Sequence, residues 1–129
     1  MTRLQEALLV FFGGGLGSIA RWLVGVAIHS GLAVSAFPLA TLIVNLAGCF
    51  AIGVLGGLFE TRQAFGPEAR LFLMVGFLGG FTTFSSFAYE TIALARDAEF
   101  LRAGINVLGQ TLFGLAGAWL GYALVRASS

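Results

Sequence analysis

Charge is what this chain has least of. Asp, Glu, Lys and Arg together make up 10% of it, against about 25% in an ordinary soluble domain. Lysine is absent, and all seven basic residues are arginine. Without lysine there is no phosphate-cradling glycine loop of the usual kind. With no basic run, a nucleic-acid partner has no electrostatic footprint. The single cysteine, Cys49, rules out an intrachain disulfide and reads as a small packing residue in an apolar run. The single histidine, His29, stands alone in a polar link, so no catalytic constellation is visible and the chain does not read as an enzyme.

What is present is apolar surface. Hydrophobic residues make up 58% of the 129 residues, and mean hydropathy is +0.95. Such a surface suits a lipid bilayer. A membrane-spanning helix needs about 20 mostly apolar residues, and four segments qualify: Leu4–Ile28, Leu39–Phe59, Ala69–Ala95 and Leu101–Val125. The expected fold is therefore all-α, a single four-helix membrane domain over residues 1–129, multi-pass in the plasma (inner) membrane. Arg3 followed by Ala7–Phe12 imitates a signal peptide. The apolar run continues past it with no convincing cleavage site, so it reads as a retained span. The links His29–Pro38, Glu60–Glu68 and Arg96–Phe100 are short, which makes successive spans antiparallel and puts both termini on one side.

Arginine near the membrane ends sets orientation. The face with the termini and the second link carries Arg3, Arg62, Arg70 and Arg126. The other carries Arg96 and Arg102, with Arg21 if it reaches that far. So small a bias leaves two readings: a weakly oriented chain with its termini inside, or a chain that inserts both ways and forms an antiparallel dimer. Glycines at four-residue spacing (Gly13/Gly17, Gly53/Gly57, Gly76/Gly80, Gly117/Gly121) let helix backbones approach closely in lipid and suggest a homo-oligomer.

Polar groups at membrane depth are few. The densest set lies in GFLGGFTTFSSF, Gly76–Phe87, where two adjacent glycines meet four hydroxyls, those of Thr82, Thr83, Ser85 and Ser86. Lipid satisfies none of these, so the stretch belongs against protein, an ion or a water-filled path. Gly79 and Gly80 ease a helix break there, and freed carbonyls suit a small alkali cation. Phe84 and Phe87 follow at i and i+3, usually a packing pattern. Their positive ring edges can also hold an anion weakly.

Asn45 in the second segment is either an interhelical hydrogen bond or a pore-lining donor. Arg21 next to Trp22 is either an interfacial anchor or a fixed charge that gathers anions at a pore mouth. Glu90 reads as structural, paired with an arginine in a vestibule or reaching the interface. Asn106 and Gln110 share one helix face, with Thr111 beside them, and either join helices or line a path.

These motifs resemble a known family, the small fluoride channels called Fluc or CrcB proteins. The matching stretches are GGGLGSIARW (Gly13–Trp22), ATLIVNLAGCFAIG (Ala40–Gly53), GFLGGFTTFSSFAYE (Gly76–Glu90) and, more loosely, Asn106-Val107. The third is the most specific. Ala40 often stands as glycine in the family, and Ser86 as threonine.

The resemblance implies an antiparallel, dual-topology homodimer of four-helix subunits with a broken third helix. It implies two fluoride paths and a passive, selective channel that exports fluoride and relieves its toxicity. It also implies a structural sodium ion at the dimer centre on the backbone carbonyls of Gly79 and Thr82. Phe84, Phe87 and Asn45 would line the fluoride path, with Thr83, Ser86, Gln110 and Thr111 as polar neighbours. Arg21 and Glu90 would belong to the vestibule or architecture. Gly114 stands where the family has a polar side chain, so a hydroxyl of Thr83 or Ser86, or water, would complete the track. The alternative is a small dual-topology, proton-coupled exporter of the four-helix multidrug type. It needs a carboxylate deep in a helix, and Glu6 and Glu90 both stand close to helix ends, which counts against it.

Overall fold

The computed structural model describes residues 1–31, 37–63 and 65–129. The first link is therefore described only in part, and its residues 32–36 lie outside the described residues. Helix α1 is Arg3–Gly31 and α2 is Leu39–Thr61. The third span comes in pieces: α3 (Pro67–Arg70), a π-helical stretch (Leu71–Leu78), α4 (Gly79–Phe81) and, after a break, α5 (Phe84–Arg96). Helix α6 is Phe100–Ala127. The four spans are 29, 23, 30 and 28 residues long. At about 1.5 Å per residue each exceeds a hydrocarbon core of about 30 Å.

Local signals account for the ends. Thr2 and Gln5 cap α1 reciprocally: Gln5 N–H donates to Thr2 Oγ1 at 3.3 Å and Thr2 N–H to Gln5 Oε1 at 2.8 Å. Pro67 opens α3 at its first position, where a missing N–H does no harm. After α5, Ala98 turns left-handed at φ 60°, and Glu99 N–H reaches back to the Leu94 carbonyl at 2.8 Å, which turns the chain into α6.

The helices pack as two parallel pairs, α1 with the third span and α2 with α6. Glycine decides how close they come. A Cβ at Gly17 would fall on the Phe77 carbonyl, one at Gly80 on the Gly14 carbonyl, and one at Gly53 on the Ala118 carbonyl. Backbone thus touches backbone, which suits lipid, where dispersion and close approach replace the hydrophobic drive between helices. The buried apolar core among the described residues is small: Val44, Leu78, Leu94, Ala103 and Val125. Large apolar residues such as Phe11, Trp22, Phe113 and Trp119 face outward.

The break lies within the stretch Gly79–Thr83, just before Phe84. It falls at Thr82 (φ −86°, ψ 159°) and Thr83 (φ −152°, ψ 111°), while Gly79 and Gly80 remain helical. Gly80 serves the contact with α1 instead. The threonines make the break tolerable. Thr82 Oγ1 donates to the Leu78 carbonyl at 2.8 Å, and Thr83 Oγ1 caps α5 by accepting from Ser86 N–H at 3.1 Å. The π-helix just before the break was not legible in the sequence. Such stretches are rare and gather at functional sites.

Candidate ion-conducting site

Asn45 on α2 holds the break from the side. Its Oδ1 accepts from Thr83 N–H at 2.8 Å, and its Nδ2 donates to the Thr83 carbonyl at 3.0 Å. A carboxamide carries the same donor and acceptor as a peptide group, so it replaces the pairing the extended residues lost. Asn45 Nδ2 also donates to Gln110 Oε1 on α6 at 2.7 Å. Asn45 thus joins three helices, and it does so at the wall of a groove.

Two grooves flank Thr83. The first, of about 380 Å³, is lined by Asn45, Gly48, Cys49, Gly79, Thr82, Thr83, Phe84, Phe87, Gln110 and Thr111 among others. It brings together eight of the candidate site residues, and no charged side chain among the described residues lines it. The Phe84 and Phe87 ring centroids are 5.5 Å apart, tilted by 53°. Phe84 is 79% exposed in the single subunit, an unusual position for a large ring unless lipid or another copy covers it.

The second groove, also about 380 Å³, is charged and hydroxylated. Arg21, His29 and Glu90 line it together with Ser18, Thr41, Thr83 and Ser86. Glu90 Oε1 accepts from Thr41 Oγ1 at 2.8 Å. Its other oxygen is buried and has no hydrogen-bond partner among the described residues. An ion pair between Glu90 and an arginine is not among those the described residues form, which are Arg3–Glu6 and Arg102–Glu99.

Among the described residues, Thr83 is the one common to both grooves. It is 8% exposed, and its hydroxyl bonds Ser86 Oγ at 3.0 Å. Ser86 lines the second groove. Beside Gly114 stands Cys49, whose Sγ would be 3.3 Å from an added Cβ. Three contributors were missed in the sequence: Ser18, Thr41 and Thr91. Ser18 Oγ lies 3.5 Å from the Gly80 carbonyl, and Thr91 accepts from Asn106 Nδ2 at 2.9 Å. A lone hydroxyl in an apolar helix usually bonds its own helix, so nothing in the sequence marked them.

Comparison with known proteins decides the family. A family model described as CrcB-like protein, Camphor Resistance (CrcB), matches residues 8–122. The chain belongs to the CrcB family. A relative from Solibacter usitatus is 49% identical over 122 residues, covering 95% of this chain and 99% of its own length. Relatives from Chlorobaculum tepidum and Prosthecochloris aestuarii are 46% and 44% identical over 124 residues. They cover 95% and 96% of this chain, and 96% and 95% of their own lengths. All three carry the name "Fluoride-specific ion channel FluC", the name of a channel and not of an enzyme. With four helices long and apolar enough to span, this CrcB-family chain is a multi-pass membrane protein, of the plasma membrane in a bacterial host.

Proposed function

We propose that the chain is a passive, fluoride-selective channel that lets fluoride leave the cell and so relieves its toxicity. The observation that carries this is the first groove, where amides, hydroxyls and the Phe84 and Phe87 rings line the wall beside a helix break with no charged side chain among the described residues. Fluoride is small and strongly hydrated, so a path must replace its water with donors. It must also hold the ion weakly enough to release it. Amides, hydroxyls and ring edges do both. The names of the relatives support the same substrate. Flow needs no chemical fuel, because the membrane potential acts on each charge with about 2.3 kcal/mol per 100 mV.

The working unit in this reading is an antiparallel, dual-topology homodimer with two paths. The small arginine bias supports insertion both ways. The openness of the first groove and of Phe84 in a single subunit supports a second copy beside it.

A sodium ion would sit at the dimer centre on carbonyls of Gly79 and Thr82. The donor set fits. Thr83 N–H serves Asn45, so it is diverted from the Gly79 carbonyl it would meet in a continuous helix. Gly79 is exposed, with nothing within 4 Å of an added Cβ. Neutral oxygens on an open face suit a hard, singly charged cation. When bound, the ion would tie the two broken helices together, a structural role.

One observation favours the proton-coupled exporter: Glu90 lies in mid-α5 with a buried, unpartnered carboxylate oxygen. Anion efflux from liposomes separates the two readings. Vesicles holding the purified protein and loaded with potassium fluoride or chloride receive valinomycin, and selective electrodes follow each anion. The channel releases fluoride rapidly without a proton gradient and retains chloride. Fluoride release that requires a proton gradient, or none at all, overturns the proposal.

A further inference from the structure

One unbroken series of hydrogen bonds leaves the helix break, crosses α2 and α6, and returns to α5. Thr83 N–H donates to Asn45 Oδ1, and Asn45 Nδ2 donates to Gln110 Oε1. Gln110 Nε2 donates to Asn106 Oδ1 at 3.1 Å, and Asn106 Nδ2 to Thr91 Oγ1 at 2.9 Å. Thr91 Oγ1 donates to the Phe87 carbonyl at 2.7 Å. A backbone N–H can only donate and a carbonyl can only accept, so the two ends fix the direction of every bond between them. None of the three carboxamides can flip without placing like against like.

The donor inventory then singles out one atom. A carboxamide nitrogen carries two N–H groups. Both of Asn45's are taken, by the Thr83 carbonyl and Gln110 Oε1. Gln110 gives one to Asn106. Its second N–H has no partner among the described residues, and Gln110 lines the first groove. The amide donor offered to that groove therefore belongs to Gln110.

Asn106 is fully buried, and neither it nor Thr91 lines either groove. We infer that Asn106 and Thr91 are positioning residues that lock the Gln110 carboxamide so that one N–H, and not its oxygen, faces the permeating anion. This deepens the channel reading and rests on it. With the lock removed, the Gln110 carboxamide is held by Asn45 alone and can swing its free N–H out of line with the groove, where an anion then loses that donor.

The test uses the full chain in liposomes and reads the fluoride concentration that half-saturates efflux. Thr91→Val removes the acceptor for Asn106 at almost constant volume, and Thr91→Ser keeps it. Losing one hydrogen bond to a charged ligand should raise the half-saturating concentration by about tenfold in Thr91→Val. Thr91→Ser should stay at the wild-type value. In a Gln110→Leu background the effect of Thr91→Val should vanish, since it acts through Gln110. A Thr91→Val protein unchanged from wild type overturns the inference, as does a shift that persists without Gln110. Wild-type protein that passes no fluoride overturns the channel reading instead. The lock is then read from the Gln110 side-chain amide in NMR: faster hydrogen exchange in Thr91→Val supports it, and unchanged exchange refutes it.

Discussion

The two grooves that meet at Thr83 have similar volume and opposite chemistry. The first holds amides, a thiol, hydroxyls and two phenylalanine rings. The second holds Arg21, His29 and Glu90. A full charge attracts an ion from a distance but also retains it, while neutral dipoles act only at close range and release it. In the proposed channel, charge at the approach and neutrality beside the break would divide the work: the second groove would gather anions, and the first would pass them.

Four changes break or sharpen that contrast. The largest is Asn45→Asp. A carboxylate about 4 Å from a passing anion repels it by about 4 kcal/mol at an effective dielectric of about 20. Fluoride efflux should fall by about 1,000-fold. Next is the double change Phe84→Ile with Phe87→Ile. Two ring edges worth up to about 1.5 kcal/mol each correspond to a loss of about 100-fold, measured by the same electrode. Arg21→Gln removes steering only, a loss of about tenfold at low salt. Glu90→Gln keeps an acceptor for Thr41 and should change flux by less than about threefold, or about 0.6 kcal/mol. Loss of transport in Glu90→Gln would instead favour the exporter.

The spans were legible because length and apolar content alone mark them. α1, α2 and α6 agree with their expected ranges to within three residues at either end. The third span was legible as a site but not as a shape. Glycines 79 and 80 drew attention to the right stretch, yet the small size of Gly80 serves packing on α1, and the chain opens at Thr82 and Thr83. Composition does not distinguish π from α winding, so Leu71–Leu78 carried no sign. Candidate residues such as Asn45, Gln110 and Phe87 stood out because polar or paired aromatic groups are conspicuous in apolar helices. Their division into two grooves depends on which helix faces which. That also explains why Thr41 emerged only as the partner of Glu90, and Thr91 only as the end of the amide series.

The division of labour between the grooves is tested most directly by salt. Fluoride efflux is compared for wild type, Arg21→Gln and Asn45→Asp while an impermeant salt raises ionic strength from about 0.01 M to 1 M, shortening the screening length from about 30 Å to 3 Å. The account predicts that the Arg21→Gln deficit disappears as salt rises, because wild-type steering is screened away, while the Asn45→Asp deficit persists at close range. Deficits that fade together, or an Asn45→Asp protein that conducts like wild type, would contradict it.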